Sequence, residues 1–156
     1  RPYTLVRCSP LRTLAWCCSP RDFPTSAWAP IASASSANAA AGKIVYPTRL
    51  DQALLYRLTG DRNPLHSNPE FARQAGFERP ILHGMCTYGF TARALLHAVA
   101  DSDPDHFGGF SARFSKTVDP GDTLTVSIWR TEDGALFQTA KQTGDIVVDR
   151  GVMTLR

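Results

Sequence analysis

From residue 43 onward the order of apolar and polar residues changes its period twice, and each change marks an element. Ile44-Val45-Tyr46 reads as a short strand. Leu50, Leu54, Leu55 and Leu58 then recur at helical spacing, so residues 49–59 are expected to form a short amphipathic helix. Thr48 stands at the N-cap position, Asp51 completes a variant of the capping box, and Gly60 ends the run. A second short helix is expected between Asn68, as N-cap with Pro69 at the first helical position, and Gly76 as stop. A longer one follows. Met85, Tyr88, Ala92, Leu95, Leu96 and Val99 make one apolar face across about four turns, with Gly84 and Gly89 permitting close packing.

At Phe107 the period becomes two. Phe110, Ala112 and Phe114 alternate with Ser111, Arg113 and Ser115, and Leu124, Val126 and Ile128 alternate with Thr123, Thr125 and Ser127. Asp119-Pro120-Gly121-Asp122 has Pro and Gly where a type II turn needs them. Glu132-Asp133-Gly134 marks a hairpin, and two more strands are expected at roughly 135–143 and 145–155. A strand, short helices, one long helix and then an antiparallel meander make an α+β pattern in which a curved sheet wraps a central helix.

Composition divides the chain once. Residues 1–42 hold five of the eleven prolines, end in an Ala/Ser stretch and show no sustained period, so this tail is expected to be disordered or foreign to the domain that occupies residues 43–156. It is Arg-rich and nearly acid-free, in the manner of an organelle transit peptide. The tail has four arginines against one aspartate; 13 basic and 13 acidic groups lie beyond it, so the +3 formal charge does not describe a nucleic-acid binder. No run reaches the ~18 apolar residues of a membrane helix. Three of the four cysteines lie in the tail and no CxxC occurs, which argues against a disulfide framework or a zinc site and for a reducing compartment. The expected location is cytoplasmic, with a peroxisome or mitochondrion as the eukaryotic alternative.

The residues with chemical potential gather in two places. Asp61, Asn63 and His66 share a loop between two short helices, restrained by Pro64. A carboxylate and an imidazole five residues apart can converge on one water molecule, one group taking its proton and the other supplying a proton elsewhere. Gly-Asp-x-Asn-Pro is equally good turn chemistry, and a metal site lacks a fourth ligand at a diagnostic spacing. His83-Gly84 stands just before the long helix. The first N–H groups of a helix lack internal partners and could stabilise a carbonyl oxygen as it gains charge. Gly84 could equally be a packing glycine, and His83 a buried or capping histidine. Cys86 reads as a small buried side chain, and His97 and His106 as helix-face and loop residues.

These blocks together resemble the MaoC-like dehydratase family. Residues Tyr56 to His66, followed by Pro69-Glu70-Phe71-Ala72, are similar to its hydratase-2 motif. Arg79 to Met85 resembles its second block, and Ala112-Arg113-Phe114 with Pro120 to Leu124 its third. The resemblance spans about residues 44–156. It implies a hotdog fold and (R)-specific hydration of a trans-2-enoyl-CoA to the (3R)-3-hydroxyacyl-CoA, or the reverse dehydration. Asp61 and His66 would be the catalytic dyad, Asn63 would assist, and the Gly84 N–H would contribute to the oxyanion hole. No metal or redox cofactor is implied, because coenzyme A is part of the substrate. Arg62, His83, Arg113 and Lys116 are candidates for binding the coenzyme A or acyl carrier protein thioester. The wording of residues 47–72 is most similar to the C-terminal half of two-hotdog hydratases. A homodimer, or a second hotdog domain beyond this chain, is therefore the expected partner. A hotdog thioesterase and a non-catalytic acyl-thioester-binding half-domain are the alternatives.

Overall fold

The computed structural model describes residues 6–8, as main chain, and residues 42–156. Among the described residues there are six strands: β1 Val6–Cys8, β2 Gly42–Pro47, β3 Phe107–Phe114, β4 Thr123–Thr131, β5 Gly134–Lys141 and β6 Ile146–Leu155. The helices are α1 Gln52–Arg57, α2 Pro69–Gln74 and α3 Gly84–Val99. Single 3-10 turns occupy Pro64–His66 and Pro104–His106.

The strands form one antiparallel sheet in the order β1-β3-β6-β5-β4-β2. β4, β5 and β6 are the expected meander. β2 closes on β4, with Tyr46 opposite Leu124, and so delivers the following loop to one corner of the sheet. α3 lies across the inner face, where Tyr88, Leu95 and Val99 join Val126, Phe137, Val147 and Val148 in one buried cluster. This is a hotdog fold, a sheet wrapped around its long helix. Most of the tail lies outside the described residues. Of the part that is described, Val6–Cys8 pairs with β3 and Gly42 begins β2.

Three details differ from the pattern. The helix expected over 49–59 is only six residues long and makes no side-chain N-cap bond. Thr48 is buried instead of capping. Its hydroxyl donates to the Asp122 carbonyl at 2.7 Å and accepts the Gly121 N–H at 2.9 Å, tying the end of β2 to the 119–122 turn. That turn closes as expected, with Gly121 at φ +97°. The leucine stripe of α1 does not face the core. Leu50 is 86% and Leu58 83% exposed, because α1 docks through Ala53 and nothing among the described residues covers its other side. Finally, the face of α3 that is buried runs through Thr87 and Thr91 rather than Ala92 and Leu96. The Thr91 hydroxyl lies 2.8 Å from that of Thr139 on β5, so each hydroxyl has a partner inside the core. No described helix is long and apolar enough to cross a membrane.

Candidate active site

The site begins where α1 ends. Gly60, at φ +118°, turns the chain out of the helix into a conformation that disfavours a side chain. The Asp61 carboxylate then accepts the Asn63 N–H at 3.2 Å, and the Asn63 side-chain oxygen accepts the Leu65 N–H at 3.0 Å. These bonds wind Pro64–His66 into its 3-10 turn. Arg57, from the last turn of α1, braces both limbs of the loop. One of its amino groups donates to the Arg62 carbonyl at 2.7 Å and to the Ser67 hydroxyl at 3.2 Å. Asn68 then caps α2 by accepting from Glu70 and Phe71 N–H groups, as the sequence predicts.

The folded loop presents His66 inward. Its Nδ1 lies 2.8 Å from the Ile81 carbonyl oxygen. A carbonyl can only accept, so Nδ1 carries the hydrogen and the neutral ring keeps its lone pair on Nε2. The His83 ring stacks on it, with centroids 3.7 Å apart and planes 27° apart. His83 is 1% exposed, and its Nε2 lies 3.3 Å from the Asp61 carbonyl oxygen. Side-chain donor atoms of Asp61, His66 and His83 all lie within 4.8 Å of one another. Burial, and after it the neighbouring His66, hold the His83 imidazole below its ordinary basicity. Burial pushes the Cys86 thiol up to about 11, which makes it an unreactive packing group.

Beside this cluster runs a cavity of about 320 Å³, with His66 on one wall and Gly84 on another. Leu65, Phe77, Leu82 and Phe114 make it largely apolar. Gly84 opens α3, where the first N–H groups lack intrahelical partners and sit at the positive end of the helix dipole. A Cβ at position 84 would reach 3.5 Å from the Phe114 ring, an ordinary contact that would narrow the approach to the backbone.

The other basic candidates are placed differently. Arg62 is exposed on the loop. Arg113 makes a two-pronged pair with Asp149 across β3 and β6, at 2.9 and 2.6 Å. Lys116 lines the cavity and pairs with Asp145 at 2.5 Å. His97 lies 2.8 Å from the Ser102 hydroxyl, and His106 lies 3.9 Å from Asp103, both at the surface.

Residues 32–151 match the model of the MaoC like domain. The chain belongs to the MaoC-like family. It is 51% identical over 118 residues to 3-hydroxyacyl-thioester dehydratase Y of Mycobacterium tuberculosis, matching 71% of this chain and 41% of the relative. It is 50% identical over 109 residues to peroxisomal multifunctional enzyme type 2 of Mus musculus, 69% of this chain and 15% of that one. The full-length structure of the Drosophila melanogaster multifunctional enzyme superposes at a TM-score of 0.75 with 43% identity, over 77% of this chain and 23% of the other. The chain thus spans less than half the length of each of these three proteins.

Within this MaoC-like domain the Asp61, His66 and His83 set invites comparison with a metal centre. The geometry argues otherwise. A metal must lie in the plane of each imidazole that binds it, and two stacked rings only 27° apart have planes that do not meet within bonding distance of both. Sequence reasoning missed Arg57, the Ile81 carbonyl and the apolar walls at Phe77 and Phe114. The Ile81 carbonyl and the two phenylalanines act across segments that are apart in the chain, whereas Arg57 reaches only five and ten residues along it, to Arg62 and Ser67, so its place in the last turn of α1 was a local hint.

Proposed function

We propose that this MaoC-like domain hydrates trans-2-enoyl thioesters to (3R)-3-hydroxyacyl thioesters, or runs the reverse dehydration, in fatty acid metabolism. The observation that carries the reading is the placement of Asp61 within 4.8 Å of His66, which lines an apolar cavity that Gly84, at the start of α3, also lines.

The thioester carbonyl oxygen accepts a hydrogen bond from the Gly84 N–H, where negative charge develops as the enolate forms. The acyl chain lies in the cavity. A water held between the Asp61 carboxylate and His66 Nε2 attacks Cβ and gives up a proton to the pair. The pair returns one proton to Cα on the same face, so both groups end as they began. Asn63 assists by holding the Asp61 turn in shape through the bonds described above. The thioester itself acidifies Cα, and the reading requires no redox group or metal. The names enoyl-CoA hydratase 2 and 3-hydroxyacyl-thioester dehydratase among its relatives support this reaction class.

The domain works beside a second hotdog unit, either another copy or a separate half. The exposed leucines of α1 support this, since single apolar residues are common at surfaces but a row of them marks an interface. A reducing compartment such as the cytoplasm or a peroxisome suits the free, buried thiol of Cys86.

The test is loss of enoyl absorbance with crotonyl-CoA, with a thiol reagent in parallel to detect thioester cleavage. Asp61→Asn and His66→Ala should each lower kcat by about 10²–10⁴-fold, the usual contribution of a positioned acid or base. Turnover that survives both substitutions would sink the dyad, and release of free thiol would replace hydration by thioester hydrolysis.

A further inference from the structure

The His83 side chain is too buried to be a base in contact with solvent, yet it touches both members of the dyad. Its ring lies against that of His66, and its Nε2 reaches the main chain of Asp61. Tyr56 closes the far side, with ring centroids 4.7 Å apart. The imidazole is therefore packed between α1 and the catalytic loop, on the residue that caps α3.

We propose that His83 is a positioning residue for the Asp61–His66 pair, fixing the plane of the His66 ring by stacking and the Asp61 main chain by donating its Nε2–H to the Asp61 carbonyl. The inference rests on the hydration reading for its consequence, but not for its geometry. Two contacts of different kind converge on one ring, and each restrains a different member of the dyad. The chain bond is available in one tautomer only, because a carbonyl cannot donate. That tautomer leaves Nδ1 unprotonated, and Nδ1 is buried with no hydrogen-bond partner among the described residues. Protonating His83 would place an N–H there with nothing to accept it, at a cost that keeps the ring neutral. The charged and titratable groups facing it are Asp61 and His66 from the loop, and Tyr56 and Arg57 from α1. Both Arg57 and a protonated His66 oppose a charge on His83, while Asp61 favours one; burial outweighs all of them. A neutral, aromatic platform thus stands under His66 while His66 gains and loses its proton.

The experiment uses His83→Phe, which keeps a flat ring without the donor, His83→Gln, which keeps a donor without the ring, and His83→Ala, which keeps neither. In the alanine variant kcat should fall roughly tenfold to hundredfold, as expected of misaligned catalytic groups, with KM for crotonyl-CoA changed less than about twofold. Phe and Gln should each restore part of the loss. Nitrogen-15 NMR of the imidazoles supplies a readout independent of turnover. In the parent chain His66 should hold one tautomer, with Nδ1 protonated, and His83 should keep Nδ1 unprotonated at neutral pH. In the alanine variant Nδ1 of His66 should stay protonated, held by the Ile81 carbonyl, but the His66 signals should broaden and shift as the ring loses its fixed plane. The proposal is overturned if kcat of His83→Ala stays within about twofold of the parent. It is also overturned if the His66 signals are unchanged from the parent in all three variants, or if His83 is protonated on Nδ1 at neutral pH. If His83→Ala does not fold, the Phe and Gln variants, which fill the space, decide by the same criteria. If the parent chain turns over no enoyl thioester, the hydration reading falls and the NMR still decides the role of His83.

Discussion

The meander of β4, β5 and β6 and the α1 segment with its following loop follow hydrophobic patterns of equal clarity, and fold to opposite outcomes. In the meander the alternating apolar positions Leu124, Val126 and Ile128 are all turned inward, at most 2% exposed, and Phe137 on β5 is fully buried beside them. In α1 the stripe of Leu50, Leu54 and Leu58 faces solvent. The meander finds its partners within the same 33 residues or on the helix that crosses it, so its alternation is satisfied inside one chain. α1 is one and a half turns long and docks only through Ala53 and the half-buried Tyr56. A stripe records that a face is made for burial. It does not name what covers the face.

The sharpest way to break this contrast is at its buried end. Phe137→Ala empties a fully buried site between sheet and helix and should cost about 3–5 kcal/mol, read from denaturant midpoints at constant slope. A cost below about 1 kcal/mol would mean the meander core is looser than its burial implies. A smaller effect concerns pH and the loop region. The folded state holds His83 below its ordinary pKa near 6.5, so the unfolded chain binds that proton more readily. The stability contributed by neutral His83 is therefore present above about pH 6.5 and drains away as pH falls below it. Between about pH 7.5 and 5.5 the melting temperature should drop more in the parent chain than in His83→Phe, and equal drops would contradict the assignment. The smallest effect lies at the exposed end. Leu50→Ser and Leu58→Ser should change monomer stability by no more than about 0.5 kcal/mol, as other surface substitutions do. If the stripe meets a second hotdog unit of the same chain, the pair should also weaken self-association in light scattering. Unchanged association would leave the leucines unexplained by a homodimer.

Much of the site was legible because it is local. Gly60, the Asn63 turn and the Asn68 cap are decided by bonds between residues two or three apart, and the sequence carries both partners of each. Thr48 shows the limit of such reading. A threonine before a helical run satisfies the cap pattern, but its hydroxyl is claimed by Asp122 and Gly121, more than seventy residues away. Arg113 and Lys116 show the same limit for charge, since the aspartates that hold them stand on or just before β6.

The sequence by itself determined the order and kind of most elements, the one-sided sheet, and the presence of a carboxylate and an imidazole in one restrained loop. Periodicity and turn chemistry are short-range, so they survive without knowledge of the fold. Only the tertiary structure decided that His83 would slide beneath His66, that Ile81 would set the His66 tautomer, and that the α1 leucines would lie bare. Each depends on the closing of β2 onto β4 and of α3 onto the sheet, which brings together atoms fifteen or more residues apart that no local pattern can pair.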